Sequence, residues 1–498
     1  MIHARKGGRP RPGRRLAVAL ATAAAVTATA TATARGEDLP QAWSIALAVN
    51  QGLQAQKESS VAAGFDVKAA HSARYVTVRS YTIASALAAS PTTKASPVNA
   101  GANAGGTGGT TGGTGTTGGT TGGAGGGASA LGLNTRVFIA GPNQHFIPIN
   151  LTNASFPLYT GGRLVQTERA AQHQLNAQRT VETRTALDLK LTVAEAYVGV
   201  LRAQKNLETT RSNVAQLASF ARDTRNRLNE QLAIRSDDLA AQVSLANAQL
   251  DEITNRTAVE TAYATYNRYL CRPLDAYAPL DEISQFPGDL NWEDLAATAV
   301  RNRGEFAGMN DAEARELTAR AVQGRPELAN LNEQARALNA RALATKASLK
   351  PQVSVNGGFI FLGPENFGPQ GNGYISAFID WKFTDSGATR RQTQSLKAQE
   401  RGLAKQRADL AADVALQVRT RWLDLQTARQ RVPIARFAVS QAEENVKVVT
   451  DRYRQQLSTY TEVLDAENRR VQSLNGFSNA VYDENLAFFR LRRAVGDI

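Results

Sequence analysis

Cysteine and histidine are almost missing from this sequence, and both absences exclude chemistry. Cys271 is the single cysteine in 498 residues, so no disulfide can form within the chain. The four histidines, at positions 3, 71, 145 and 173, have no metal-ligand spacing. No phosphate-binding glycine loop or nucleophile elbow appears either. The sequence therefore predicts a protein that is not an enzyme, with no catalytic residues, no metal site and no cofactor.

Large apolar side chains are also scarce. Aromatic residues make up 6% of the chain and methionine occurs twice. This composition favours long helices with narrow apolar seams over a thick globular core. Beyond the N-terminal region, no apolar run reaches the roughly 20 residues that a transmembrane helix needs. Any integral contact with a membrane would therefore have to be made by strands.

The positive charge is unevenly distributed. The net charge is +13, yet residues 1–34 hold six basic residues and no acidic one. The remaining excess is spread along the chain without a basic block, so nucleic-acid binding is not expected. Residues 1–34 have a basic start, an apolar run from Leu16 and a small-residue pattern at Ala32-Thr33-Ala34, which indicates a signal peptide. A membrane anchor is the alternative, but the run is only mildly apolar.

The mature chain predicts the same order of elements twice. A first helix lies near 39–73, and a second stretch, 163–270, has no proline and one glycine, which is typical of long helices. The first repeat covers residues 35–272 and the second covers 317–498, joined by an irregular segment at 273–316. The first repeat has predicted strands at about 75–85 and 145–159, a Gly/Thr-rich loop at 90–134, and a helical hairpin at 163–270. The second has a helix at 317–349, strands at about 351–362 and 374–383, and a helical hairpin at 388–495.

The duplication can be read directly from the residues. The stretch "RLNEQLAIRSDDLAAQ" at 227–242 recurs as "RYRQQLSTYTEVLDAE" at 452–467, at an offset of 225 residues. Cys271 aligns with Gly496 at the same offset, which indicates a small structural position. The first helices align at an offset of 275, which pairs Leu53 with Leu328. The Gly/Thr-rich loop accounts for the difference.

Four strands of about ten residues suit a tilted bilayer crossing, but one chain has too few to close around water. An open sheet edge in lipid leaves backbone groups unsatisfied. Several chains would therefore have to lend their strands to one barrel, from which the long helices extend.

The chain resembles outer-membrane efflux proteins of the TolC family. The resemblance rests on the duplicated order of elements, on "RPEL" at 325–328, on the strand-to-helix ends "FPLYTGGR" and "WKFTDSG", and on the two matched stretches. It implies a mainly α protein with membrane β-strands: a homotrimeric β-barrel in the outer membrane and a periplasmic α-helical tunnel. It also implies an exit duct for efflux or type I secretion that contacts outer-membrane lipid, a periplasmic adaptor protein and an inner-membrane pump.

The resemblance also implies roles for the matched stretches, which would be the periplasmic tips of the hairpins. Glu462 and Asp465 match an acidic pair that narrows the tunnel entrance, while an ordinary solvated acidic face is the alternative. Asp237 and Tyr453 match positions that help to hold the entrance closed, and Ser458 stands where an Arg often completes that network. The expected tip and adaptor contacts are Gln231, Leu232, Gln456 and Leu457.

Two further features of these sequences bear on the membrane and on the tips. Gln231 and Gln456 stand where the family has a glycine, which would supply a left-handed turn. Tyr159 and Trp381 lie at predicted strand ends, where aromatic residues mark the membrane interface. Packing of the strands on the helices would explain these two aromatics equally well.

A second class of protein remains open on the sequence alone. A periplasmic coiled-coil adaptor or envelope scaffold without a pore would also be rich in long helices. Such an adaptor would need one hairpin and a β-domain rich in Gly and Val. The two pairs of strands at equivalent places in the repeats favour the channel.

Overall fold

The computed structural model describes residues 36–88, 144–231, 234–282, 311–362 and 371–498. The predicted signal peptide at 1–34, the predicted Gly/Thr-rich loop at 90–134 and residues 283–310 of the predicted connecting segment lie outside the described residues. The elements of the first repeat are α1 (Leu39–Val49), α2 (Gln51–Ser72), β1 (Thr77–Ala88), β2 (Gln144–Tyr159), α3 (Arg163–Asn229) and α4 (Arg235–Tyr269). Those of the second repeat are α5 (Asp311–Gly324), α6 (Pro326–Ala347), β3 (Gln352–Leu362), β4 (Gly371–Asp380), α7 (Ala388–Arg454) and α8 (Tyr460–Val495).

The helix boundaries repeat with the sequence. Helices α3 and α7 each span 67 residues, or about 100 Å at 1.5 Å per residue, and both their ends differ by 225 positions. The pair α1 and α2 corresponds in the same way to α5 and α6, because the helices meet at Asn50 in one repeat and at Arg325 in the other, 275 positions on. In the part of the chain that is described, no helix is both long and apolar enough to cross a membrane.

The predicted helices at 39–73 and 317–349 are wrong in one respect, because each is two helices. At Asn50 the backbone is extended (φ −63°, ψ 119°), and the Asn50 Oδ1 atom accepts a hydrogen bond from the Leu53 backbone N–H at 3.2 Å. At Arg325 the break has a different cause: the following Pro326 sterically disfavours a helical backbone for the residue before it. The helix before this break also starts at Asp311, inside the predicted connecting segment.

The described helices and their connections, within residues 36–70, 165–231, 234–282, 311–345 and 388–498, form one compact unit with two related cores. Tyr197, 1% exposed, lies in the first core, and Trp422, 2% exposed, takes the equivalent place in the second. The Tyr197 hydroxyl donates to the backbone carbonyls of Glu37 at 2.8 Å and Asp281 at 2.5 Å. The connecting chain after α4 is thereby held on the first core.

The "RPEL" stretch contributes an ionic network within this unit. Arg493, on α8, donates to Glu327 at 2.8 Å and to Asp188 at 2.7 Å. Arg325 also donates to Glu327, at 3.2 Å, and to Gln417 at 2.8 Å. Burial alone would raise the pKa of Glu327, but the Arg493 hydrogen bond and the two guanidinium charges hold it below its ordinary value. Glu327 thus joins α6 to the end of α8.

The second unit, with described residues 71–88, 144–164, 346–362 and 371–387, contains a four-stranded antiparallel sheet in the order β1-β2-β3-β4. Register pairs Val353 with Ile379 and Val355 with Ala377 on one face. Asn356 pairs with Ser376 on the other face. Strand β4 runs from Gly371 to Asp380, so the predicted strand 374–383 has the right length but is placed three residues too far along the chain.

Candidate functional site at the hairpin tips

The tip between α7 and α8 is a hydrogen-bonded left-handed turn. Gln456 has φ of 61°, and its N–H donates to the Tyr453 carbonyl at 3.0 Å. The Leu457 N–H reaches back to the Arg452 carbonyl at 2.8 Å. These two bonds satisfy carbonyls at the end of α7 that would otherwise lack partners.

The tip between α3 and α4 starts in the same way. Gln231 has φ of 62°, and its N–H donates to the Leu228 carbonyl at 3.0 Å. Leu232, named above as a tip residue, lies outside the described residues, as does residue 233. Glutamine thus adopts the left-handed backbone that the sequence reading associated with glycine, at a cost on the order of 1 kcal/mol per tip.

The two tips differ in how the returning helix is capped. Thr459 caps α8: its hydroxyl accepts from the Glu462 N–H, and the Glu462 carboxylate accepts from the Thr459 N–H, which is a capping box. At the equivalent place before α4 stands Ile234, which has no side-chain hydrogen bond and is 66% exposed. The start of α8 at the second tip therefore has a side-chain cap that the start of α4 at the first tip lacks.

The acidic pair lies on the exposed side of α8. Glu462 accepts a hydrogen bond from the Ser458 hydroxyl at 2.7 Å, and this bond leads the causes that lower the pKa of Glu462. Asp465 is exposed one turn further along. Ser458 thus bonds Glu462 of the acidic pair, and no hydrogen bond links Ser458 to Tyr453 or Asp237 among the described residues.

Tyr453 packs against three side chains of the tip region. The Arg227 guanidinium, from α3, lies 5.3 Å from the centre of the Tyr453 ring. The ring of Tyr460 is 5.6 Å away, centre to centre. Burial and then the nearby Asp237 charge raise the pKa of the Tyr453 hydroxyl. This cluster joins both repeats at their tips, and sequence reasoning missed Arg227 and Tyr460.

Burial also shifts the pKa values of other groups in this cluster. It raises the pKa of the Asp237 carboxyl, and it raises the pKa of Tyr460 to about 12. Asp238, next to Asp237, is buried and accepts from Gln242 at 2.8 Å. Both tyrosines therefore carry neutral hydroxyl groups at physiological pH, and Arg227 supplies the positive charge of the cluster.

Deeper along α8 there is a buried ion pair. Glu467 is 1% exposed and accepts two hydrogen bonds from the Arg470 Nε atom, at 3.1 and 3.0 Å. Gln216, on α3, bonds both partners, at 3.2 Å to Glu467 and at 3.0 Å to Arg470. The pair fixes α8 against α3 just inside the tips.

The two aromatics at the predicted strand ends lie at the same end of the sheet. Tyr159 is the last residue of β2 and pairs with Val353, the neighbour of Ile379 on β4. Trp381 follows β4, and its ring lies 4.3 Å from that of Phe383. Tyr159 and Trp381 are each about half exposed, at 50% and 49%.

In the described residues, no group of His, Cys, Asp and Glu side chains could hold a metal ion.

Comparison with known proteins finds one family model and several solved structures that are similar to this chain. Residues 317–497 match the family model of outer membrane efflux proteins. Three similar solved structures are outer-membrane proteins. VceC of Vibrio cholerae is 14% identical, with a TM-score of 0.66, and the match covers 92% of this chain and 96% of that one. CmeC of Campylobacter jejuni is 11% identical, with a TM-score of 0.68, and the match covers 93% of this chain and 86% of that one. MtrE of Neisseria gonorrhoeae is 14% identical, with a TM-score of 0.66, and the match covers 92% of this chain and 89% of that one.

The family model and the solved structures both relate this chain to outer-membrane proteins. A search of curated proteins found no match. The resemblance predicted from the sequence is supported over residues 317–497 by the match to the outer membrane efflux protein model, and the solved structures share the fold. The predicted fold class, mainly helical with a small antiparallel sheet, is confirmed as well.

Proposed function

We propose that this chain is one of three identical protomers of an outer-membrane exit channel for efflux or type I secretion. The observation that carries the proposal is the distribution of exposed apolar side chains. They form stripes on α4 and α7, and most of those on the sheet lie on one face, with Tyr81 and Phe378 on the other. By contrast, α8, all of whose residues are described, exposes no large apolar side chain. A water-filled tube built from several copies requires this division between apolar and polar surfaces.

The helical stripes have the spacing of packing surfaces. On α4, exposed apolar residues follow one another at intervals of four, seven and three positions, which places them on one helix face: Leu239, Val243, Leu250 and Ile253. On α7, Ile434 is 69% exposed and Phe437 is 65% exposed. Second and third copies of the chain would cover these stripes, and the polar face of α8 would then remain in water.

The sheet supports the membrane part of the proposal. Ile375 and Ile379 lie on one face of β4 and are 82% and 65% exposed. The opposite face carries Ser376 and Asn356. An apolar face suits lipid and a polar face suits a water-filled interior. The edge strands β1 and β4 would pair between copies, which removes open edges from the membrane. Tyr159 and Trp381 would then lie at the membrane interface.

The tips would form the periplasmic entrance. Three copies would bring Glu462 and Asp465 together as an acidic ring that attracts cations. The cluster of Tyr453, Asp237 and Arg227 would hold the entrance closed. The exposed tip residues Gln231, Gln456 and Leu457 would contact a periplasmic adaptor that links the channel to an inner-membrane pump. Leu232, which lies outside the described residues, would belong to the same contact. In this proposal the protein conducts and does not catalyse.

Detergent extraction of outer membranes tests the assembly. We expect the protein in the outer-membrane fraction, with the mass of three chains by light scattering. Charged substitutions on the α4 stripe, Val243→Glu with Leu250→Glu, should leave single chains, because a charge cannot be buried there without a partner. Gln249→Glu, an exposed polar position on the same helix, is the matched control and should leave three chains. A wild-type protein that fractionates as a soluble monomer contradicts the proposal.

A further inference from the structure

The acidic pair is the start of a longer exposed stripe on α8. Five exposed positions follow one another at alternating intervals of three and four residues: Glu462, Asp465, Arg469, Gln472 and Gly476. This spacing keeps the side chains on one face of a helix. At about 1.5 Å per residue, Arg469 lies about 6 Å deeper than Asp465 and about 10 Å deeper than Glu462.

Arg469 differs from its neighbour Arg470 in its environment. Arg470 is half-buried and bonds Glu467 and Gln216, so its charge is matched within the protein. Arg469 is exposed, and it makes no hydrogen bond or ion pair with any residue that the structure describes. Its guanidinium is therefore free to act on ions in the adjoining water.

The first repeat does not place a cation at the equivalent position. At the offset of 225 residues, Glu462 corresponds to Asp237, Asp465 to Ala240, and Arg469 to Ser244. The guanidinium is thus contributed once per chain. Three chains around one entrance would present three of them.

We propose that Arg469 is a specificity-determining residue of the channel, a ring of positive charge directly inside the acidic ring. This inference rests on the proposed function. The outer ring attracts cations, and the inner ring repels them and stabilises anions about 6 Å further in. The entrance thereby combines two charges of opposite sign in series. An anionic or zwitterionic solute that passes the carboxylates meets a favourable site, while a multivalent cation held at the carboxylates is opposed from inside.

Ion selectivity in planar bilayers tests this. The cation-to-anion permeability ratio is obtained from the reversal potential in a KCl gradient. Arg469→Gln should raise that ratio by about twofold, since three charges at about 10 Å in screened water contribute a few tenths of a kcal/mol in total. Arg469→Glu should raise it further. Block by hexaamminecobalt(III) from the periplasmic side should strengthen in both variants.

Three controls make the result specific. Arg469→Lys keeps the charge and should keep the wild-type ratio. Arg225→Gln removes an exposed arginine near the tip of α3, away from the α8 stripe, and should have no effect. Asp465→Asn should lower the ratio. If Asp465→Asn changes selectivity and Arg469→Gln does not, the inference is wrong while the channel stands. If no variant and no wild-type protein conducts, the proposed function fails, and the inference fails with it.

Discussion

Gln231 and Gln456 lie 225 residues apart and have the same left-handed backbone, with φ of 62° and 61°. In the part of the chain that is described, every residue with positive φ has such a counterpart: Gly161 with Ser386, Gly162 with Gly387, and Cys271 with Gly496. The duplicated backbone conformation has therefore been retained where the residue type has changed. Sites of this kind tolerate short or flexible side chains and reject β-branched ones.

Gln456→Val should destabilise the second tip by about 1 to 2 kcal/mol, because a β-branched side chain clashes with a backbone of positive φ. Gln456→Asn should be tolerated. Hydrogen exchange of the tip amides gives the free energy of local opening. Gln399→Val, at an exposed position within α7, provides the control and should cost only about 0.5 kcal/mol. Equal costs at both positions would contradict the account.

The cap that one tip has and the other lacks leads to a paired prediction. Thr459→Ala should destabilise the start of α8 by about 1 kcal/mol, because the capping box is lost. Ile234→Thr should stabilise the start of α4 by a similar amount, since Asp237 already stands three positions on. Hydrogen exchange at the first turns of the two helices measures both. The prediction fails if both substitutions shift stability in the same direction.

Glu327→Gln should lower the free energy of unfolding by about 3 kcal/mol, because Arg325 and Arg493 would be left close together without the carboxylate between them. Arg421→Ala removes an exposed ion pair with Asp424 and should cost less than about 0.5 kcal/mol. Denaturant titration followed by circular dichroism compares them. A small effect of Glu327→Gln would show that the network is not structural.

The same carboxyl gives a pH dependence. The folded-state pKa of Glu327 is below its ordinary value, so its contribution to stability is fully present above the unfolded-state pKa of about 4.5. The contribution is lost as the pH falls through the folded-state value. Wild-type protein should therefore lose stability below about pH 4.5 more steeply than Glu327→Gln. Parallel curves for the two proteins would exclude Glu327 as a source of the acid sensitivity.

Tyr453→Ala should increase the open fraction of the entrance by about fivefold, because the loss of a cation–π contact worth about 1 kcal/mol would release Arg227. Tyr453→Phe keeps the ring and should behave like wild type. Single-channel recording measures the open fraction directly. If Tyr453→Phe opens the channel as much as Tyr453→Ala, the hydroxyl and not the ring stabilises the closed entrance.

Much of this organisation could be predicted from the sequence because the duplication is a long-range signal that needs no contacts. The alignment of Leu53 with Leu328 anticipated two buried positions, each 2% exposed. Local pattern failed at Asn50 and Arg325, where apolar spacing continues through a break that a side-chain cap and a proline impose. The packing of Arg227 on Tyr453 could not be predicted, because it depends on how two hairpins meet in space.

The absence of glycine was also a poor guide to the backbone conformation at the tips. Neither tip sequence contains the glycine that would predict a left-handed turn, yet hydrogen bonds from the Gln456 and Leu457 N–H groups to the end of α7 hold that turn with glutamine. Tertiary and local bonding can offset a backbone cost on the order of 1 kcal/mol. Sequence alone does not show which positions receive that compensation.

Single-channel recording of the purified, detergent-extracted protein in a planar lipid bilayer tests the central claim most directly. The account predicts discrete conductance steps from particles with the mass of three chains, with a cation preference that Glu462→Gln combined with Asp465→Asn reduces. A preparation that inserts as three-chain particles but never conducts, even with Tyr453→Ala, would contradict it.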